Sequence, residues 1–569
     1  METQRLILFV IFFFSAYVLW MNWEKEHRPP APAPTTATKT APAPGDLPAP
    51  SAPSASVPAA PSAAIPGAPT AAGPVVSAGQ IISIKTDRLT ADIDTAGGVI
   101  AVDALAKHRD VNDLSKPYLI LLRTPERTHV AQSGLLGPGL PNHRSTVYEP
   151  LPGPRELAPG ADTLEVRLAA TGSTFEKVVQ VLTFHRGSYV IDVAFEITNT
   201  GTSPSAPYAY FQLARDMKSP VVQSSMAPAA YVGPVLYNEA DKFKKVEFSE
   251  IDKEAADPTR KLPYTKNTDN GWIGMVEHYF VAAWLPSDEK KTPREFYAKK
   301  LDNGLYSAGV IVPVGTIAPG QTVRVDVPLY AGPQEQETLA KLAKGLDLVV
   351  DYGIFTVIAA PLFWLLKWLH GLIGNWGWAI LAMTILIKSA FYPLNHASAR
   401  SMAKMKVIAP KMKALQEQYA NDKQQLQVKM MEMYKTEKIN PLGGCLPIVV
   451  QIPVFIALYW VLLSAVELRH APWIGWIHDL SAPDPFYVLP VVYAITAYLQ
   501  VKLSPTPISD PVQAKVMQIM PIAFSVMFVF FPSGLVLYWL INNCIQIFQQ
   551  WHMNYLLEKE AKTAAAKRR

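Results

Sequence analysis

A single lysine inside an apolar segment that is long enough to cross a membrane constrains this fold more than any other feature. Residues 376–393 read WGWAILAMTILIKSAFYP, and Lys388 is their only charged residue. Tryptophans at one end and Tyr392 with Pro393 at the other are typical of the two interfacial ends of a transmembrane helix. At 1.5 Å per residue, Lys388 lies roughly 7 Å inside the nearer end. The segment therefore predicts a span with a charge in it.

The surroundings of this lysine leave two interpretations open. Thr384, Lys388 and Tyr392 are four residues apart and share one face of the helix. A lysine in hydrocarbon costs at least ~2.5 kcal/mol unless it meets water or a partner. The sequence has no acidic residue between Asp351 and Glu417. Either the side chain snorkels to the nearer interface, or it lines a wet, positively charged cavity between helices.

The first 78 residues predict an anchor and a tether. Leu6 to Trp20 is apolar except for Ser15, and we predict an uncleaved transmembrane anchor over residues 1–24. Residues 29–78, which make up most of the segment 25–78, are rich in proline and alanine and nearly without charge, so they cannot bury a core. We expect them to form a disordered linker.

Alternation of apolar and polar residues between positions 79 and 332 predicts one large antiparallel β-sandwich. Glycine- and asparagine-containing turns separate the alternating runs. Such a domain is compatible with sugar or peptide binding and with a structural role, and the fold alone does not decide between them. Both cysteines, Cys445 and Cys544, lie in or beside apolar segments, which predicts a domain without disulfides. The apolar positions of the three clearest runs are Leu164, Val166, Leu168; Tyr189, Ile191, Val193, Phe195, Ile197; and Val323, Val325, Val327, Leu329.

Residues 333–375 predict a helical linker and an amphipathic helix lying in the membrane interface. Pro361 suits its first turn. A further span over 353–373 is long enough, but it would place the basic loop that follows residue 393 on the wrong side. The predicted apolar face comprises Leu362, Leu365, Leu366, Leu369, Leu372 and Ile373, and the opposite face comprises Phe363, Lys367 and His370.

The distribution of charge predicts the topology. Between Pro393 and Pro441 the chain has nine basic and four acidic residues, so this segment should be cytoplasmic and the β-domain should lie outside the cytoplasm. Apolar residues at 3-4 spacing predict a helical hairpin over 397–440 with six methionines. Those methionines suit adaptable contact with apolar partners, or they simply pack one helix on the other.

Four further spans complete a five-helix bundle, at about 446–466, 486–501, 516–531 and 535–555. The basic tail 559–569 agrees with a cytoplasmic C-terminus. Tyr538, Asn542, Gln546 and Gln549 share one face of the last span. This second polar stripe favours the wet cavity for Lys388.

Several long motifs resemble the YidC/Oxa family of membrane protein insertases, in its Gram-negative form with a large periplasmic domain. The motifs are FYPL (391–394), SMAKMK (401–406), NPLGGCLPIVVQIPVFIALYW (440–460), VELRHAPWIGWIHDLSAPDP (466–485) and FPSGLVLYW (531–539). The resemblance implies a mixed membrane protein: an N-terminal anchor, a periplasmic β-supersandwich, and five transmembrane helices with a cytoplasmic hairpin.

The resemblance also implies the function. The family inserts newly synthesised inner-membrane proteins and helps them fold, through a positively charged hydrophilic groove open to cytoplasm and lipid, alone or with the general Sec translocon. Lysine stands at 388 where arginine is common, which suits a point charge better than a bidentate fork. The implied groove residues are Lys388, Thr384, Gln451, Tyr538, Trp539 and Asn542.

The cytoplasmic hairpin is expected to meet the ribosome or the nascent membrane protein, without preference for a nucleic-acid sequence. The residues expected to make these contacts are Lys404, Lys406, Lys411, Lys413, Met405, Met412 and Met430.

No nucleotide-binding, hydrolase or zinc-protease motif occurs, so we expect no catalytic residues, cofactor or metal. Two other function classes stay open. A secondary transporter would show paired broken helices and often an intramembrane carboxylate, and neither is evident. A membrane-anchored periplasmic carbohydrate-binding or carbohydrate-processing protein would need convergent carboxylates in the β-domain.

Overall fold

The computed structural model describes residues 79–110, 113–137, 139–170, 176–219, 231–257, 259–289, 291–419, 422–437, 446–503, 519–520, 523 and 525–566. These residues form two compact units, one ending at Val350 and one beginning at Asp351. The predicted anchor 1–24 and linker 25–78 lie outside the described residues, as do residues 516–518, 521, 522 and 524 of the predicted span 516–531.

The first unit consists of two nine-stranded antiparallel sheets. One has the order β1-β2-β3-β4-β5-β10-β17-β16-β13 and the other the order β12-β11-β14-β15-β18-β9-β8-β7-β6. The strands are β1 (Ile81–Lys85), β2 (Leu89–Asp94), β3 (Val99–Arg109), β4 (Pro117–Arg123), β5 (Thr128–Leu136), β6 (Tyr148–Pro150), β7 (Thr163–Ala170), β8 (Glu176–His185), β9 (Val190–Asn199), β10 (Tyr208–Arg215), β11 (Gly233–Asn238), β12 (Lys242–Lys245), β13 (Asn267–Thr268), β14 (Trp272–Glu277), β15 (Phe280–Trp284), β16 (Arg294–Lys300), β17 (Tyr306–Pro313) and β18 (Thr322–Pro333).

The two sheets pack face to face through large apolar side chains. The ring of Phe211 in β10 lies 6.0 Å from that of Phe195 in β9 and 5.2 Å from that of Trp284 in β15. The alternating residues Tyr189 to Ile197 are buried as predicted, whereas Val323 and Val325 are only half-buried at the start of β18. The prediction of a β-sandwich is confirmed.

A buried ionic cluster also joins the sheets. The carboxylate of Glu277 in β14 accepts a hydrogen bond from Tyr118 (2.7 Å) and lies 3.6 Å from Arg215 and 3.7 Å from Arg127. Burial raises the pKa of Glu277 above its ordinary value, and the two arginines act in the opposite direction. Removing one partner would strand a buried charge, so this cluster fixes the relative position of the sheets.

The β-unit extends beyond the predicted boundary at residue 332. Helix α1 (Phe248–Ala256) packs on β16, and α2 (Gln336–Leu342) with the 3₁₀ turn Leu346–Val349 follows β18. Leu339 and Leu346 are fully buried, and the Trp272 indole N–H donates to the carbonyl of Lys344. Residues 333–350 therefore belong to the sandwich, because their apolar side chains complete its core.

The second unit is helical. Its helices are α3 (Thr356–Ile373), α4 (Trp376–Ala390), α5 (Tyr392–Gln418), α6 (Lys423–Thr436), α7 (Leu446–Ser464), α8 (Val488–Leu503) and α9 (Ser533–Ala566). The predicted span 376–393 ends at Ala390, and the chain bends by 55° into α5. The first hairpin helix thus begins at Tyr392 and not at 397, and α9 extends the predicted span 535–555 at both ends.

Two segments of this unit are long and apolar enough to cross a membrane, judged by length and composition of the described residues. They are α3 alone and the bent pair of α4 with residues 392–401; Val450–Ser464 and Val488–Leu503 are apolar but shorter.

The buried side of α3 does not coincide with its predicted apolar face. Phe363 is buried together with Leu366 and Leu369, while Leu372 and Ile373 are exposed. Pro361 lies in the second turn because the helix begins earlier, at Thr356. The buried face is set by packing against α4 and α7, which the sequence of α3 does not encode.

Candidate functional site

Lys388 and Thr384 lie on the buried face of α4. Their exposed fractions are 2% and 1%. The Thr384 hydroxyl donates to the carbonyl of Ile380 (2.7 Å), which satisfies this polar group within its own helix. The start of α4 is fixed by Asn375, whose side chain accepts from the amide of Trp378. The helix therefore directs a lysine into the bundle.

Lys388 begins a chain of hydrogen bonds across three helices. Its ammonium donates to Oε1 of Gln451 in α7 at 3.4 Å, and Nε2 of Gln451 donates to Oδ1 of Asn542 in α9 at 3.3 Å. An ammonium only donates, so the Gln451 amide must turn its oxygen to Lys388 and its nitrogen to Asn542. Three predicted groove residues thus meet in one network.

Aromatic packing sets the register of α7 against α9 beside this network. Phe455 lies one turn after Gln451, and its ring is 6.0 Å from Tyr538 and 4.0 Å from Trp539. Tyr538 is fully buried, and Asn542 follows it by one turn. Because both helices present an aromatic residue four positions from an amide, the stacking brings the two amides opposite each other.

Lys388 has a neutral hydrogen-bond acceptor and no carboxylate counter-ion among the described residues. Among the described residues, no carboxylate lies within 4.0 Å of its ammonium, and its acceptor is a neutral amide. The side chain is buried and faces Gln451, so it does not snorkel to the surface. The structure closes around Lys388, and a groove open to cytoplasm and lipid stays a prediction.

A second polar group lies where α4 ends, and only Tyr392 and Gln549 of this group belong to the polar faces predicted from the sequence. Gln549 of the polar stripe accepts from Asn395 (3.2 Å) and donates to the carbonyl of Lys388 (3.5 Å). One turn further, the Tyr392 hydroxyl is 3.3 Å from Nδ1 of His552. The sequence did not predict Asn395, which follows the apolar segment 376–393, or His552, which lies in the span 535–555 but not among the residues of the predicted polar stripe.

The connection 465–487 covers the opposite end of the bundle. The backbone amides of Ser533 and Gly534 donate to Ala482 and Leu480, which ties the loop to the start of α9. His470 lies 3.2 Å from the carboxylate of Asp479. Burial alone would raise the pKa of Asp479, but hydrogen bonds from His470 and Ser481 outweigh it and hold the pKa below its ordinary value.

The predicted cytoplasmic contact residues are only partly described. Lys411 forms an ion pair with Glu437 (2.6 Å), which links α5 to the end of α6. Met412 accepts a hydrogen bond from Tyr434 at 3.8 Å, so it contributes to packing within the hairpin. Met430 is half-buried. The side chains of the other four, Lys404, Met405, Lys406 and Lys413, lie outside the description.

Comparison with known proteins covers the whole chain. The family description "YidC periplasmic domain" matches residues 81–365, and "60Kd inner membrane protein" matches residues 368–560. A membrane protein insertase YidC from Nitrosospira multiformis is 51% identical over 588 aligned positions, which cover 100% of both chains. The chain belongs to the YidC family of membrane protein insertases.

A second relative supports the same assignment. The membrane protein insertase YidC of Aromatoleum aromaticum is 50% identical, with 99% of this chain and 100% of the relative covered. A solved structure of an active YidC insertase with its first transmembrane domain resolved is 18% identical, covering 83% of this chain and 93% of that one, with a TM-score of 0.37. Family membership therefore rests on sequence, and it makes the chain an inner-membrane protein of the YidC type.

Proposed function

We propose that this YidC-family chain inserts newly synthesised proteins into the inner membrane, and helps them fold, through the polar site around Lys388. The observation that carries the proposal is a buried ammonium whose described hydrogen-bond acceptor is the neutral amide of Gln451. A structural lysine at this depth would be expected to have a carboxylate partner. A lysine held by an amide keeps donors available for an incoming acceptor.

The mechanism follows from solvation. A client must carry a polar flank through hydrocarbon, where each unsatisfied polar group costs several kcal/mol. Lys388 would donate to acidic side chains or exposed carbonyls of that flank in place of Gln451. The apolar part of the client would then leave sideways into lipid, driven by its own partitioning. For this step the bundle must open a groove to cytoplasm and lipid at Lys388.

The cytoplasmic hairpin is proposed to receive the client at the entrance. Its lysines would contact the ribosome electrostatically, so binding should weaken as salt rises, and its methionines would contact apolar client segments. Neutral substitutions at Lys404, Lys406, Lys411 and Lys413 should therefore reduce ribosome and client crosslinking. Crosslinking as strong as in the parent protein would count against this assignment.

The proposed topology places both termini in the cytoplasm and the β-unit in the periplasm, and the chain would work alone or beside the Sec translocon. Cysteines introduced at positions 60 and 420 in a chain without Cys445 and Cys544 report on it. Position 60 should react with an impermeant thiol reagent from outside, and position 420 should not. External labelling at 420 would overturn the topology.

Reconstitution tests the function directly. Purified protein in liposomes is supplied with a single-span client with an acidic translocated flank, and the protease-protected fraction of client is measured. A twin client with the acidic residues changed to amides isolates the electrostatic part. Insertion no better than in empty liposomes, for both clients, would overturn the proposal.

A further inference from the structure

The bend between α4 and α5 is a weak point in the helical backbone directly beside Lys388. The two helices differ in direction by 55° across Phe391. Pro393 stands in the first turn of α5 and has no N–H, so it donates no hydrogen bond to the carbonyl four residues earlier, at Ser389. An interrupted ladder does not fix its own angle. Contacts from another helix must therefore hold it.

Helix α9 supplies these contacts on both sides of the bend. The amide of Gln549 uses its nitrogen on the Lys388 carbonyl, in the last turn of α4, and its oxygen on Asn395, in the first turn of α5. The contact between Tyr392, the first residue of α5, and His552, about one turn after Gln549 on α9, lies at the same bend. One side chain thus bridges the residue that bears the charge and the root of the cytoplasmic hairpin.

We infer that Gln549 is a positioning residue for Lys388. By holding α4 and α5 at a fixed angle, it keeps the turn that contains Lys388 oriented so that the ammonium faces Gln451. A displacement of the hairpin would then be transmitted to Lys388 through Asn395 and Gln549. This inference rests on the proposed function of Lys388, because positioning matters only if the ammonium meets the client.

The variants are chosen from the hydrogen bonds of Gln549 and from a neighbouring glutamine on α9. A primary amide donates at one end and accepts at the other, so Gln549→Leu removes both bonds at similar size, whereas Gln549→Glu keeps the acceptor for Asn395 and loses the donor to the Lys388 carbonyl. Gln546 lies one turn earlier on α9 and makes no hydrogen bond that the structure describes. Gln546→Leu is therefore the matched control.

The experiment measures the bend and the insertion activity of the same full-length variants. Spin labels at the exposed positions Leu386 and Glu417, with Cys445 and Cys544 replaced by serine, report the distance across the bend. We expect Gln549→Leu to broaden this distance distribution and to lower insertion about five-fold, the equivalent of one hydrogen bond. Gln546→Leu should leave both unchanged. Gln549→Glu should broaden the distribution less than Gln549→Leu.

A double-mutant cycle with Asn395→Leu separates positioning from general packing. If both residues act through one bridge, the double variant should insert no worse than Gln549→Leu alone. Additive losses, equal losses in Gln549→Leu and Gln546→Leu, or a loss of insertion with an unchanged distance distribution would each overturn the inference. If Lys388 variants insert clients as well as the parent does, the proposed function is overturned instead, irrespective of the distance distribution across the bend.

Discussion

The Nζ of Lys388 lies 3.4 Å from the Oε1 of Gln451, so the charge inside the bundle is held by a neutral amide through a long hydrogen bond. Charge-assisted bonds to carboxylates are usually 2.7–2.9 Å long and roughly twice as strong as neutral ones. A carboxylate at position 451 would trap the ammonium. The amide stabilises it less strongly, and in the proposed function Lys388 would exchange this contact for a client acceptor.

Substitutions of Lys388 should separate charge from shape. Lys388→Arg should keep insertion within about two-fold of the parent, because the role needs a positive charge and does not depend on bidentate hydrogen bonding. Lys388→Ala and Lys388→Glu should lower insertion of clients with acidic flanks by ten-fold or more, on the order of 1.4 kcal/mol. The liposome assay measures this. An Ala variant as active as the parent would contradict the electrostatic role.

Gln451→Glu should impair insertion although it strengthens the contact with Lys388. The carboxylate would form an ion pair with the ammonium and compete with the acidic flank of the client. We expect a more heat-stable protein in detergent that inserts the acidic client at least five-fold less well. Gln451→Leu is the control, since it frees the ammonium without a competitor. Unchanged insertion by Gln451→Glu would show that Lys388 does not exchange partners.

The sequence predicted which residues face inward but not which of them meet. The stripes Thr384 with Lys388 and Tyr538 with Asn542 follow from four-residue spacing within one helix. The bonds from Gln451 to Lys388 and to Asn542 join positions 63 and 91 residues apart, and single-helix periodicity holds no information about such pairs. The bend at Phe391 was predicted as a helix end, because a proline does not reveal whether another helix follows at once.

The folding unit of the β-domain should include residues 333–350. A fragment of residues 79–350 should unfold cooperatively, whereas 79–332 loses the burial of Leu339, Leu346 and Val349 and should be several kcal/mol less stable, at about 1.5–3 kcal/mol for each side chain. Urea unfolding measures the difference. Leu339→Ala in the longer fragment should cost about 2–5 kcal/mol. Equal stability of the two fragments would place the boundary at 332.

Asp103 should make the stability of that fragment fall as pH rises. It is fully buried in β3, its carboxylate oxygens have no described hydrogen-bond partner, and burial raises its pKa to about 8. An unfolded aspartate titrates near 3.9, so the native state holds the proton more tightly. The stability that Asp103 contributes is therefore complete below about pH 4 and is lost as pH rises through about 8.

Asp103→Asn should remove this dependence. The variant should be more stable than the parent at pH 9, and the difference between their free energies of unfolding should narrow towards pH 5. The total change in this difference should be up to about 5 kcal/mol. Urea unfolding of both fragments at a series of pH values measures it. If the free energies of unfolding of parent and variant change with pH in parallel, Asp103 is ionised in the folded protein.

The loop 465–487, which covers one end of the bundle, should depend on the absence of a side chain at Gly377. A Cβ built there would lie 2.2 Å from the indole of Trp473, and Asn375 also donates to the carbonyl of Pro472. Gly377→Ala should push Trp473 away and destabilise the loop by about 1–3 kcal/mol, since overpacking of this size forces neighbours to move.

Gly371→Ala is the matched control: it is also helical, and nothing lies within 4 Å of its Cβ position. Because alanine favours a helix over glycine by about 1 kcal/mol, this control should be neutral or slightly stabilising. Thermal unfolding in detergent, with protease nicking in the 465–487 loop as a local readout, should show the loss in Gly377→Ala alone. Equal behaviour of the two variants would mean that Trp473 does not pack against α4 as described.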